Sequence, residues 1–478
     1  MGVLSNFKYN LILTGCNYIF PLITYPYISR VLGVNNIGIC GTVDSIINYF
    51  ILFSMMGIGS LGVREIARHS NEKEKLSQIF SSLFSANLTL VIFASVTLVV
   101  CTLFVPFFAP YKPFLGIGLI KLIFNIFLIE WFFQGIQDFK YITTISVLLR
   151  AIYIVAIFLF VHEASDTLTY YLITVLLTMV NALINWFHSR KYCRFRFVDS
   201  HPTLYIKPIF SFGYYKILTS FYTTFNVLFL GIITNDTEVG YYTTASKING
   251  ILLSLFTAFT TVMVPKIAQL MKEGDHTKLD DIANKTADVL MALSIPIICF
   301  CLICAPQIIR IISGAGYEPA GRPFQIMISL ILVIGLEQII IQQFLMATDS
   351  NKAITIVSTV GAVVGLSLNI FLTPRLASIG TSIAWGVSEL CVLVAGLILL
   401  KKVSGLTIHL DIVRKNLATA IVYLLPILLN TLEINEWVTF GITSTYIIIT
   451  FLIINLKVSR NEFLLSTLKT MIHRSNKP

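Results

Sequence analysis

Nine ionisable side chains fall inside long stretches that otherwise carry almost no charge. Arg30 ends the first of these, in YPYISRVLGV (25–34), after about twenty uncharged residues. Lys121, Arg150, Lys216 and Lys247 are the other cations, and Asp44, Glu130, Glu337 and Glu389 the anions. A charge at the centre of a bilayer costs about 2.5–3.5 kcal/mol on insertion scales, so each is a functional candidate by default. Arginine offers a planar fork of donors that fits phosphate, and lysine a point charge, so five cations around a hydrated cavity suit a phosphorylated headgroup. The four acids are the groups that would take up a proton or a sodium ion if transport is coupled to one. The competing reading is a set of buried ion pairs that fix helix register. It explains any one residue more easily than charges spread along the whole chain. For Arg30 alone the rival is snorkelling, a helix-end arginine reaching for the interface.

Such positions require membrane-crossing helices to hold them. Of 478 residues, 56% are hydrophobic and 12% charged, about half the charged fraction of a soluble domain, and the mean hydropathy is +0.82. About twenty apolar residues cross roughly 30 Å of hydrocarbon as a helix. Fourteen such runs can be drawn, near 10–29, 37–60, 83–104, 114–136, 142–161, 167–188, 208–232, 238–264, 286–309, 324–346, 353–372, 379–400, 413–430 and 436–456. They are twice the length of barrel strands and do not alternate. The sequence predicts an all-α integral membrane protein. No small-residue cleavage site follows Lys8, so the first span is expected to stay in place. With a rise of about 1.5 Å per residue, Arg150, Lys247 and Glu389 lie roughly 13–16 Å into their spans. Lys121, Lys216 and Asp44 are shallower, and Glu130 and Glu337 lie toward the cytoplasmic ends.

The net charge of +10 raises nucleic acid as a partner, and its distribution argues against that. With the N-terminus cytoplasmic, the loops and tails on that side carry 25 of the 34 Lys and Arg residues, which is the positive-inside pattern with both termini cytoplasmic. Arg30 is then on the poorer side, with Lys112, Arg310, Arg322 and Arg375. Seven of the eight cysteines fall in spans, so no external disulfide framework is expected, and CFCLIC (299–304) reads as helix packing rather than a metal site.

The chain also resembles itself. At an offset of 202, GICGTVDSI (38–46) aligns with GYYTTASKI (240–248) at three of nine positions. REIA (64–67) meets PKIA (265–268) at 201, and FFQGIQDFKYIT (132–143) meets FLMATDSNKAIT (344–355) at 212. Three matches in one order, at equivalent turns, make spans 1–6 and 7–12 two copies of one unit. The expected organisation is a lobe over 1–200, a second over 201–405, and spans 13–14 with a tail over 406–478. Copies with an even number of spans share one orientation, so the lobes should be related by an axis along the membrane normal, around a central cavity.

YPYISRVLGVNNIG, GIGSLGVREIA, WFFQGIQDFKYIT and GYYTTASKI together resemble the bacterial polysaccharide-export flippases of the multidrug/oligosaccharidyl-lipid/polysaccharide (MOP) superfamily, over spans 1–12. The resemblance implies an undecaprenyl-pyrophosphate-linked oligosaccharide as substrate, turned from the cytoplasmic to the periplasmic leaflet of the inner membrane for O-antigen, capsule or exopolysaccharide assembly. It implies membrane lipids as surroundings and a polysaccharide polymerase and chain-length regulator as candidate partners, with no cofactor and no catalysis. By motif it gives Arg30 a pyrophosphate contact, whereas Arg150, Lys216, Lys247 and Lys121 rest on depth and charge. Alternating access between the lobes is the expected mechanism. A multidrug exporter of the same fold should carry a net acidic cavity for organic cations. A membrane-embedded polymerase or glycosyltransferase commonly needs a catalytic loop, yet the outer loops are short and all seven histidines lie in loops or at span ends. No Gly-rich nucleotide loop is present.

Overall fold

The computed structural model describes residues 3–198, 200–273, 276–345, 350–404, 408–431 and 435–455. Among them every regular element is helical, and ten helices are long and apolar enough to cross a membrane, or eleven if one bent pair counts as a span. The basic residues of the C-terminal tail, Lys457 to Lys477, lie outside the described residues.

The chain opens with α1 (Val3–Met55), 53 residues that include a break at Gly33 (φ 77°, ψ 167°). A backbone of that shape strains any residue with a Cβ, which is why glycine ends YPYISRVLG. The corner is tied down: Tyr27 Oη donates to the Val161 carbonyl at 2.7 Å, and Asn36 Nδ2 donates to Leu32 O at 3.0 Å and Ala164 O at 3.1 Å. Next come α2 (Ile58–Arg68), α3 (Lys73–Phe104), α4 (Lys112–Phe124), α5 (Glu130–Gly135), α6 (Phe139–Phe160) and α7 (Thr167–Ser189). After a linker come α8 (Thr203–Ser220) and α9 (Phe225–Ile233), bent by 48°, and then α10 (Asp236–Glu273). The remainder is α11 (His276–Ile303), α12 (Ala305–Ser313), α13 (Gly321–Ile328), α14 (Leu330–Gln338), a π-helical turn over Ile339–Leu345, α15 (Asn351–Ser404), α16 (Leu410–Leu424) and α17 (Glu436–Ile453). Like α1, α15 is broken within, at Ala377 (φ 47°, ψ −127°). Glu238 Oε2 holds that corner by accepting from Ser378 N at 3.1 Å and Ser378 Oγ at 2.6 Å.

By proximity the chain forms two compact units, one of residues 1–243 with 365–381 and the other of 244–364 with 382–478. This grouping differs from the repeat lobes read in the sequence, because α8, α9 and the start of α10 sit with the first unit. The first unit has an aromatic core at the end that carries the basic loops, where Phe80, Phe84, Trp131, Phe132 and Phe133 meet Trp186 and Phe195. A second cluster, with Val43, Ile47, Leu115, Leu122 and Tyr171, lies between α1, α4 and α7. In the second unit Met291, Ile295 and Cys299 of α11 pack on Tyr423 of α16 and Ile447 of α17. Large apolar side chains such as Phe93 (73% exposed), Phe104 (77%) and Ile421 (71%) face outward, as a lipid-facing surface requires.

Candidate functional site

The intramembrane charges have different surroundings. Lys121 on α4 donates to Asp44 Oδ1 on α1 at 2.8 Å, so this cation already has a counter-ion. On α6, Arg150 Nη1 donates to the Cys16 carbonyl of α1 at 3.4 Å, and Glu130 at the start of α5 lies within its electrostatic reach while hydrogen-bonding Asn181 of α7. The Lys121–Asp44 pair has the form of the register-fixing reading. In the second unit two acids meet each other: Glu337 of α14 and Glu389 of α15 are direct neighbours. Glu389 is 4% exposed and takes a bond from Trp385 Nε1 at 2.8 Å, while Glu337 Oε2 is buried with no donor among the described residues.

The remaining cations are Arg30, Lys216 and Lys247. Arg30 is exposed, one turn before the Gly33 corner, and Lys247 is exposed on α10 in the other unit. Lys216 on α8 is half-buried, and no carboxylate lies within ion-pair distance of it among the described residues. Its Nζ faces α2 at Gly59, where an added Cβ would stand 3.9 Å away.

Glycines decide how α1 and α2 approach α8 and α10. Near the corner of α1, a Cβ on Gly38 would fall onto the Asp236 carbonyl, and one on Gly240 onto the Val34 carbonyl. Gly38 and Gly240 are the first residues of the two segments aligned in the sequence, GICGTVDSI and GYYTTASKI. Around them Asp236 Oδ1 accepts from Thr42 at 3.0 Å and Tyr111 at 2.9 Å, and Thr237 donates to Asn35 Oδ1 at 3.3 Å. At the other end a Cβ on Gly57 would meet the Ile209 carbonyl, and one on Gly213 would stand 2.8 Å from Met56 Cβ. There the Arg64 guanidinium lies 4.5 Å from the Phe212 ring centre. Between the two crossings Tyr49 Oη donates to Ser220 O at 2.9 Å. Lys216 therefore sits among contacts that α1 and α2 make with α8 and α10.

Sequence reasoning singled out none of Asp236, Gly38, Gly240, Gly57 or Gly213. The aligned segments held a signal for Gly38 and Gly240, since a glycine shared at one aligned position points to a close backbone approach. A buried polar knot also escaped notice: Asn369 Nδ2 of α15 donates to Asn226 Oδ1 of α9 at 2.9 Å, and Thr373 Oγ1 bonds Asn369 Oδ1 at 2.9 Å and Thr381 Oγ1 at 3.0 Å.

Known proteins share this fold and sequence. The profile of the family described as polysaccharide biosynthesis protein matches residues 3–271, and that of the MatE family matches 215–371. The protein named "Putative O-antigen transporter" of Escherichia coli strain K12 is 25% identical over 395 residues, covering 80% of this chain and 93% of its own. The structure of the lipid II flippase MurJ in an inward closed conformation matches with a TM-score of 0.76 at 16% identity, over 97% of this chain and 100% of that one. An inward-facing multidrug resistance MATE family transporter of the MOP superfamily matches with a TM-score of 0.60 at 15% identity, over 84% of this chain and 97% of that one. The chain is a multi-pass membrane protein that belongs to the polysaccharide biosynthesis protein family and has the fold of the MOP superfamily transporters.

Proposed function

We propose that this protein flips an undecaprenyl-pyrophosphate-linked oligosaccharide across the bacterial inner membrane, from the cytoplasmic to the periplasmic leaflet, by alternating access. The observation that carries this is Lys216, a half-buried cation without a carboxylate partner among the described residues, set between two glycine crossings. A phosphate oxygen is the natural partner for such a group. The family membership and the O-antigen transporter relative support a lipid-linked glycan as cargo. The two crossings serve as gates that part in turn: Gly38 with Gly240 toward the periplasm, Gly57 with Gly213 toward the cytoplasm. The basic loops face the cytoplasm, as do both termini, and a polysaccharide polymerase and a chain-length regulator receive the product.

Coupling is assigned to Glu337 and Glu389. Two neighbouring carboxyls repel when both are ionised, which suits them to take up and release a proton, and Trp385 Nε1 donates to Glu389 Oε1 at 2.8 Å. Exchange of that proton drives the cycle. The second reading, export of organic cations, is favoured by the MatE match over 215–371. One preparation separates the two: proteoliposomes of the full chain, assayed with a fluorescent undecaprenyl-pyrophosphate oligosaccharide and with an organic cation. Movement of the glycan lipid, lost in Lys216→Gln, supports the flippase. Cation exchange without lipid movement makes it a drug exporter.

A further inference from the structure

The linker between α7 and α8 is fastened to the beginning of α3. The Arg194 N–H donates to Ser77 Oγ at 3.3 Å, that of Arg196 to Ser81 Oγ at 3.0 Å, and that of His201 to Ser82 Oγ at 2.9 Å. The match is geometric: four residues of helix advance about 6 Å, and two of extended chain about 6.6 Å. Alternation follows from it. Cys193 is buried, and Phe195 packs on Phe84 and Trp186 with ring centres 5.1 and 6.0 Å apart, whereas Arg194 and Arg196 are exposed. The turn before it is set by Tyr192 Oη, which donates to Asp138 Oδ2 at 2.8 Å.

The result is an ordered groove of about 810 Å³ lined by Lys73, Lys75, Arg190, Lys191, Arg194 and Arg196, with Glu74 as the one carboxylate among its described lining residues; the Lys75 ammonium is paired with Glu72 Oε2 at 2.8 Å, so the other five cations carry the site. Asp199, in the same linker, lies outside the described residues. Beside the groove the linker and the start of α8 present Phe197 (64% exposed), Val198 (94%) and Leu204 (70%). The positive-inside rule asks only for an excess of basic residues on one side. It does not ask for a fixed backbone, a concave surface or an apolar margin.

We propose that this groove binds the phosphate headgroup of an anionic glycerophospholipid from the leaflet on the basic face. The phosphodiester oxygens take the guanidinium forks and ammonium groups, and the acyl chains meet Phe197, Val198 and Leu204. A dissolved phosphate would use the cations and leave the apolar margin idle, whereas a lipid uses both. The groove uses none of the residues assigned to the transported substrate, and the proposal does not depend on what that substrate is.

The test is native mass spectrometry of the full chain in detergent, titrated with phosphatidylglycerol, phosphatidylcholine or inorganic phosphate. Phosphatidylglycerol should be retained in preference to phosphatidylcholine, and inorganic phosphate at millimolar concentration should not displace it. At about one surface-charge increment per residue, Arg194→Gln with Arg196→Gln should weaken retention roughly 30-fold. Lys401→Gln with Lys402→Gln, an equal loss of exposed charge at the end of α15, should leave it unchanged. Ser77→Ala with Ser81→Ala keeps every charge but frees the linker, and should also weaken retention. If the arginine variant does not fold, Lys73→Gln with Lys191→Gln, both exposed, gives the same reading. Equal loss in the Lys401 and Lys402 variant, no preference for phosphatidylglycerol, or displacement by inorganic phosphate would each overturn the proposal.

Discussion

At the scale of the residue, counter-ions separate the intramembrane cations. Lys121 is paired with Asp44 at 2.8 Å and Arg150 lies near Glu130, whereas Lys216 has no carboxylate beside it among the described residues. Losing a charge-assisted contact to phosphate costs about 1.5–3 kcal/mol. Lys216→Gln should therefore slow glycan-lipid flipping roughly 10- to 100-fold at unchanged protein level, while Lys121→Gln should instead lower the unfolding temperature, because it strands Asp44. Arg30→Ala compared with Arg30→Lys distinguishes a phosphate contact from snorkelling: a snorkelling side chain tolerates lysine, and a bidentate contact does not. Outside the spans, burial raises the Cys193 thiol from its ordinary 9.0 to about 12. The folded state keeps that proton longer than the unfolded chain, so this contribution to stability is complete below pH 9 and fades as the pH rises toward 12. Maleimide at pH 7.5 should leave Cys193 unlabelled until the protein is denatured, and rapid labelling of the native protein would show that the linker does not cover it.

Glycine contacts and polar knots dominate at the scale of the element. Gly38→Ala and Gly240→Ala each put a methyl where a backbone carbonyl already lies, an overpacking worth about 1–3 kcal/mol. Both should lower the unfolding temperature and impair flipping. Gly116→Ala on α4, with nothing within 4 Å of the new atom, is the control and should do neither. Asn369→Leu removes the centre of the Asn226, Thr373 and Thr381 knot and leaves buried donors and acceptors unmatched, for about 1–3 kcal/mol, which thermal unfolding in detergent measures. Helix identity was legible in the sequence because the runs are long and apolar. The breaks in α1 and α15 fall where the sequence already separates spans, at 30–36 and 373–378; Gly33 marks the first by its backbone freedom, whereas Ala377 at φ 47° depends on Glu238 for its corner. Gly38 and Gly240 stand out in the sequence for the similarity of their segments, not for their contact, since similarity between two segments does not say that they touch.

For the whole molecule, the coupling assignment makes a prediction about pH. If Glu337 and Glu389 exchange the driving proton, Glu389→Gln should flatten the pH dependence of flipping in proteoliposomes and uncouple it from an imposed proton gradient. A variant that keeps the wild-type profile would remove these two acids from the cycle. The sequence by itself determined the membrane class, the helical architecture and the family resemblance, because the cost of burying polar groups in hydrocarbon writes span length and composition directly into the chain. It also named Glu337 and Glu389 as intramembrane acids. Only the tertiary structure decided that these two meet each other, that Lys121 and Arg150 have acidic neighbours, and that Lys216 has none among the described residues. Those outcomes depend on how helices far apart in sequence rotate and approach, and that rotation is set by packing at a few small residues rather than by the hydropathy of any one span.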